Sequence, residues 1–369
     1  MSLKPPGTPP VISIIAICYN HERFVIESLS SIHQLKGVSF ELIFCDDCST
    51  DQSAQIATDW LDKHHSTAIR VLNKKNIGLC ATLNTALSMT KGTYIKFVAC
   101  DDTISADKIV QQIEKLEDSD SDVVMCCGNF DQINEDGEII RKNFYPNSYQ
   151  LPDDLFLAII QKPMVFSPQT AVWRKSIFEE IGGFDESYSA EGFQTWLKIF
   201  YEKYRAVYLS EPVAQYRIVQ NSFSHSGDWD SKFAEQRIRT LKLYDCKEER
   251  GEAIRKRQQK EYHDLVVHAY GSKQTPSARI FFRQFLDQTS EVERAQIENQ
   301  VLFTYWGERL ALWQIAKNDV SHIRKLIQNK KISTGNTLID FLYIWHLHYL
   351  IGGIAWLRNN LSKLRSSRG

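Results

Sequence analysis

The sequence predicts an α/β fold with a mainly parallel sheet, followed by an α-helical region, and three observations carry that prediction. Strand-type apolar runs alternate with helix-type segments from residue 11 to about 128. Such alternation implies parallel strands joined by right-handed crossovers. Three of the runs break off into polar clusters: 11–18 into Tyr19-Asn20-His21, 40–45 into Asp46-Asp47, and 94–100 into Asp101-Asp102. From about 229 to the end the strand signals disappear and the chain reads as helices.

The elements follow in order. Residues 1–10 carry four prolines and a glycine and are expected to be a disordered lead-in. Strand 11–18 is rich in β-branched residues and is followed by a helix near 22–34, strand 40–45 and a helix at 51–64. Ser49 or Thr50 is placed to cap that helix, with Asp51 favourable in its first turn. Strand 68–72, a helix at 79–90, strand 93–99, a helix at 105–117 and strand 122–127 complete the alternating run. Asn134-Glu135-Asp136-Gly137 then marks a hairpin turn, a helix is expected at 153–161, and another at 191–201. Domain boundaries are expected at 11–225 for the α/β part and 226–369 for the helical part.

Composition narrows the functional classes. The 369 residues carry 44 basic and 45 acidic side chains, a net charge of −1, so no global field favours nucleic acid. Eight cysteines, several inside apolar runs, read as reduced buried thiols and not as a disulfide framework. Cys45-Asp46-Asp47-Cys48 has no second ligand pair of zinc spacing, so it reads as a strand-end turn. The N-terminus lacks the apolar core of a signal peptide, which points to a cytoplasmic chain.

The clusters carry the chemistry. In open parallel sheets ligands bind at the carboxyl ends of the strands. Tyr19 can lay its ring on a nucleobase, and Asp46 can accept from a base N–H or a ribose hydroxyl. Asp101 and Asp102 are adjacent like charges, a poor structural pair unless a cation sits beside them. Mg²⁺ and Mn²⁺ favour one or two carboxylates plus substrate phosphates. No glycine lies between Gly7 and Gly37, which argues against a dinucleotide loop or a Walker-type loop after the first strand.

On these residues the chain resembles the family 2 glycosyltransferases, inverting enzymes of the GT-A fold that use nucleotide-diphospho-sugars. The resemblance covers about residues 10–226. It rests on Ser13 to Asn20, Asp46-Asp47-Cys48-Ser49-Thr50-Asp51, Asn76-x-Gly78 with Asn84, Lys91 to Ile95, Ala99-Cys100-Asp101-Asp102, and Gly182-Gly183-Phe184-Asp185-Glu186 with Glu191 and Trp196. It implies a nucleotide site of Tyr19, Asp46, Asp47, Asn76 and Gly78, and a divalent cation, Mn²⁺ or Mg²⁺, held by Asp101 with Asp102 as helper. It implies Glu191 as the general base that deprotonates the acceptor hydroxyl, with Asp185 as a competitor or a turn-fixing residue. Trp196 reads equally as an acceptor-site wall and as core. Four positions depart from the pattern. Cys48 replaces a glycine, implying a turn that does not need positive φ. Ala99 replaces the first aspartate, Gly192 the second acid, and Val219 a common histidine.

The implied partners are a nucleotide-sugar donor, uridine diphosphate by default, and a glycan or lipid-linked glycan acceptor of bacterial surface polysaccharide synthesis. A nucleotidyltransferase or a glycoside hydrolase is the alternative; the first should carry a glycine-rich basic loop, and the second needs no base-stacking tyrosine. Phe341 to Leu357 is uncharged and aromatic, and a basic tail follows. As a helix it would be roughly 25 Å long, short of a bilayer core of roughly 30 Å. It reads either as a helix lying in the membrane interface or as a buried core helix, which leaves peripheral contact with the inner face of the membrane as an open expectation.

Overall fold

The first four strands lie side by side in the order β3-β2-β1-β4, all parallel, and this half of the sheet positions the strand ends of interest. A computed structural model describes residues 11–271 apart from 163, 202–203, 220–228 and 245. The chain divides into two compact units, residues 1–257 and 258–369. Of the second, only the stretch 258–271 is described, and it is helical.

In the first unit β1 (Ile12–Cys18), α1 (Val25–His33), β2 (Phe40–Asp46), α2 (Ser53–His64), β3 (Ile69–Leu72), α3 (Leu79–Met89) and β4 (Tyr94–Ala99) alternate as the apolar runs predict. Ile12, Ile14, Ala16 and Cys18 of β1 pack with Val25, Leu29 and Ile32 of α1 and with Ala57 and Leu61 of α2. Ile15 packs instead with Leu83 and Ala86 of α3. Both faces of the strand are covered, so β1 does not alternate with polar residues; its one polar side chain, Ser13, is buried and bonds Glu41 and the Gly92 amide.

The chain then adds β5 (Thr103–Ile104), α4 (Ala106–Glu117), β6 (Val123–Ile133), β7 (Ile139–Arg141), α5 (Leu155–Gln161), β8 (Val172–Arg174), α6 (Ser176–Ile181), α7 (Gly192–Phe200) and β9 (Arg205–Arg217). The sheet continues from β4 through β8, β6 and β9 to β5. Here the sheet is mixed: β8 is antiparallel to both β4 and β6, and β9 is parallel to β6. The strand expected at 122–127 therefore does not extend the parallel run beside β4, because the short β8 enters between them. It also runs on to Ile133, where the expected Asn134–Gly137 turn pairs it with β7.

Two helices follow, α8 (Trp229–Leu241) and α9 (Glu248–Gly271). The α8 residues Gln236 and Arg239 bond Ser189 and Ser187, and Arg250 of α9 reaches the Asp154 carboxylate that caps α5. The helical residues up to Arg257 thus belong to the same compact unit as the sheet. Among the described residues no helix is long and apolar enough to cross a membrane. The segment 341–357 lies outside the described residues.

Candidate functional site at the strand ends

The chain builds β1, β2 and β3 in one direction and then places β4 on the other side of β1. That reversal leaves a crevice at the carboxyl ends of β1 and β4, the position where open α/β sheets bind ligands. Register brings the expected residues there together: Cys18 pairs with Asp46, and Ile17 with both Cys45 and Ala99. Tyr19, Asp46 and Asp101 therefore share one edge.

The loops after β1 and β2 are tied into one platform. Asn20, at φ 59°, accepts the Thr50 amide at 2.8 Å and donates its own amide to Ser49 Oγ at 2.9 Å. The His21 amide donates to Ser53 Oγ at 2.7 Å, the Glu22 amide to Asp51 Oδ2 at 3.1 Å, and the Gln52 amide to Glu22 Oε2 at 2.9 Å. Asp51 precedes α2 and accepts the Ser53 amide, and neither Ser49 nor Thr50 caps the helix as expected. Tyr19, next to Asn20 of this platform, is 43% exposed and so available for stacking.

The two carboxylates at the end of β2 do different work. Asp46 accepts the Ser49 amide at 2.8 Å on Oδ1 and the Ser49 hydroxyl at 2.5 Å on Oδ2. An ionised carboxylate has about four acceptor sites, so Asp46, although only 3% exposed, keeps unfilled acceptor capacity. Asp47 is more heavily engaged, accepting from Ile77 N, Gly78 N and Asn73 Nδ2, each at 2.9 Å. It latches the loop that begins α3, where Gly78 stands at φ 91° and Asn76 is exposed. Cys48 adopts φ 64°, so the expectation that this turn avoids positive φ is overturned. The Asp46–Ser49 bonds close a turn in which Cys48, the third residue, is left-handed although it carries a side chain.

The acidic pair after β4 is split. The Asp101 side chain is 18% exposed and lies 3.8 Å from His21 Nε2. Asp102 is turned inward, 2% exposed, with Oδ1 accepting the Arg217 amide at 2.8 Å. Burial and the neighbouring Asp101 charge push Asp102 well above the usual carboxylate range. Asp101 fits a hard divalent cation as a single carboxylate ligand beside substrate phosphates; Asp102, buried and bonded, does not fit the helper role. Among the described residues no three His, Cys, Asp or Glu side chains gather into a cage, so a cation at this edge would draw its remaining ligands from the substrate or from water.

Glu191 lies just before α7, half-buried, and desolvation raises its pKa above the ordinary glutamate value. It belongs to the same neighbourhood as α3. Burial, with the charges of Glu191, Asp185 and Glu186 around it, pushes the Cys80 thiol up to about 12. The loop leading to Glu191 is pinned by Asn84 of α3, which accepts the Phe184 amide at 2.8 Å and donates to Phe184 O and to Glu186 Oε1, both at 2.9 Å. Gly183 is required there twice over: its φ is 78°, and a Cβ would sit 2.6 Å from Asn84 Oδ1. Asp185 accepts the Ser187 amide and hydroxyl, the turn-fixing arrangement and not that of a free base. Trp196 is buried and stacked on Trp173 at 4.7 Å, a core residue and no wall of a cleft.

Comparisons with known proteins bear on the family and the fold. Residues 13–182 match the family described as Glycosyl transferase family 2. EpsE of Bacillus subtilis (strain 168), which carries a glycosyltransferase name, is 31% identical over 245 residues, covering 63% of this chain and 84% of EpsE. TuaG of the same organism, named for teichuronic acid biosynthesis, is 26% identical over 223 residues, 60% of this chain and 83% of TuaG. Among solved structures, Staphylococcus aureus TarS 1-349 superposes with a TM-score of 0.53 at 19% identity, over 78% of this chain and 82% of that one. The mannosyltransferase PcManGT of Pyrobaculum calidifontis, solved with GDP-Man and Mn²⁺, gives 0.52 at 18% identity, over 84% and 89%. At these identities the structural likeness speaks for the fold.

Proposed function

The chain belongs to glycosyltransferase family 2 and has its GT-A fold, and from that premise we propose that it moves a hexosyl or N-acetylhexosaminyl group, with inversion, from a nucleotide-diphospho-sugar to a glycan or lipid-linked glycan acceptor in bacterial surface polysaccharide synthesis. A uridine diphosphate sugar is the first donor expected. The observation that carries the reading is the convergence of Tyr19, Asp46 and Asp101 on the crevice between β1 and β4, with Glu191 reached through α3. Relatives of the same fold have been solved with UDP-GlcNAc and with GDP-Man, which supports a nucleotide-sugar donor.

Each residue has a task that its surroundings allow. Tyr19 offers an aromatic face to the base, worth about 1–3 kcal/mol where such stacking has been measured. Asp46 accepts from the base or the ribose and orients the nucleoside. Asn76, exposed beside Gly78 at the start of α3, borders the nucleotide, while Asp47 holds that loop in place. Asp101 would hold the divalent cation. When bound there, Mn²⁺ or Mg²⁺ neutralises the charge developing on the departing nucleoside diphosphate. Glu191 takes the proton of the acceptor hydroxyl as that oxygen attacks the anomeric carbon; the bond to the diphosphate breaks, and its electrons leave with the nucleotide.

The test is a panel of nucleotide sugars incubated with the purified protein, following nucleoside diphosphate release with and without glycan acceptors. One donor class should release its nucleotide in an acceptor- and divalent-dependent manner, and Asp101→Ala should abolish that divalent-dependent release while the fold persists. Release of pyrophosphate, or cleavage of a glycan without any nucleotide sugar, would replace this reading with a nucleotidyltransferase or a hydrolase.

A further inference from the structure

Arg217, the last residue of β9, has a side chain only 1% exposed, yet the sugar-transfer chemistry above gives it no task. Its guanidinium reaches three elements at once. Nε donates to the Asp101 carbonyl at 2.8 Å, one Nη to the Asn134 carbonyl at 2.9 Å, and the other Nη to Glu27 Oε2 of α1 at 2.6 Å. The plane also lies over the Phe24 ring, 4.7 Å from its centroid. The backbone amide of the same residue donates to Asp102 Oδ1 at 2.8 Å. One residue thus grips both members of the acidic pair, Asp101 by its carbonyl and Asp102 by its carboxylate.

We propose that Arg217 is the positioning residue for Asp101. The turn after β4 is tight, with the Asp102 amide donating to the Ala99 carbonyl at 3.0 Å. Within such a turn, which of the two carboxylates faces the crevice depends on how the peptide between them is oriented. Drawing the Asp101 carbonyl toward the guanidinium and the Asp102 carboxylate onto the Arg217 amide turns Asp102 inward and leaves Asp101 outward. Buttressing from α1 and from the β6–β7 hairpin keeps the guanidinium itself from moving; Arg23, in the turn just before α1, pairs with Glu135 of the hairpin. Lysine cannot replace it, because a single ammonium cannot serve three acceptors in the plane of a fork. Removing partners that orient a metal ligand typically costs about 10–100-fold in metal affinity. This inference rests on the sugar-transfer reading, since it gives Asp101 its cation.

The experiment compares Mn²⁺ binding to wild type, Arg217→Lys and Glu27→Gln in the presence of uridine diphosphate, by the loss of the free-ion paramagnetic resonance signal. The half-saturating Mn²⁺ for turnover is measured alongside. Arg217→Lys should weaken Mn²⁺ binding by about 10–100-fold and raise the half-saturating Mn²⁺ by a similar factor, with most of kcat regained at saturation. Glu27→Gln, which keeps an acceptor but removes the charge from one buttress at a half-exposed site and should fold, should shift both quantities in the same direction by less. A control, Leu61→Ala in α2, lowers stability away from the crevice and should leave both unchanged. Native Mn²⁺ affinity in Arg217→Lys, or in Glu27→Gln should the lysine variant fail to fold, would overturn the proposal, as would an equal shift in the control. A wild-type protein that binds neither Mn²⁺ nor uridine diphosphate would overturn the sugar-transfer reading and this inference with it.

Discussion

At the scale of single residues, burial decides what each carboxylate can do. Glu191 is half-buried, and desolvation disfavours its charged form. A general base must be deprotonated to act, so kcat should rise with pH through a pKa above the usual glutamate range. Glu191→Gln should flatten that limb and lower kcat by at least about 10², with donor affinity unchanged in a calorimetric titration. A variant that lost donor affinity and kept its pH limb would move the residue to the nucleotide site. Cys48 shows the reverse case, a side chain tolerated where backbone geometry does not favour it. An L-residue in the left-handed region costs about 1–2 kcal/mol, partly offset by the extra unfolded freedom of glycine. Cys48→Gly should therefore stabilise the protein by about 0.5–1 kcal/mol, read as a higher urea midpoint; a lower midpoint would mean that the thiol packs usefully.

At the scale of elements, the site is a set of loops held by side chains that never need to touch a substrate. Asp47 accepts from two backbone amides just ahead of α3 and from the Asn73 side chain just after β3, and Asn84 ties α3 to the 182–186 loop that leads to Glu191. Asp47→Ala would leave those donors unmet, at about 1–3 kcal/mol for each one that stays buried. The expected outcome is a loss of about 2–3 kcal/mol in urea denaturation, together with weaker donor binding because the 76–78 loop is released. Weaker donor binding with unchanged stability would show Asp47 contacting the nucleotide directly.

For the molecule as a whole, the α/β core must be rigid enough to keep strand ends in register across the crevice. Trp173 and Trp196 stack at its centre, with Phe166 and Phe200 packed around them. Trp196→Ala should cost about 3–5 kcal/mol, measured as a shift in the unfolding midpoint. Full stability with a selective loss of acceptor affinity would restore the tryptophan to the acceptor site. Truncation after Asn336 tests the C-terminal expectation. The shortened protein should stay soluble and float less with anionic vesicles than the full chain, whereas a truncation that aggregates, with no flotation of the full chain, would favour a core helix.

The local pattern of the sequence was enough to determine the first four strands, the helices between them, the hairpin at Asn134–Gly137 and the edge on which Tyr19, Asp46 and Asp101 meet. Strand period, helix period and turn chemistry are written in contiguous residues, and a parallel sheet follows from their alternation. Only the tertiary structure decided which carboxylate faces the crevice, because that depends on Arg217, far along the chain, reaching back to Asp101 and Asp102. It also decided that β8 enters antiparallel between β4 and β6, that Asp47 is a latch, and that Trp196 is core. Each of these turns on a partner distant in sequence, and such pairings are set by packing and hydrogen-bond closure, which no local window contains.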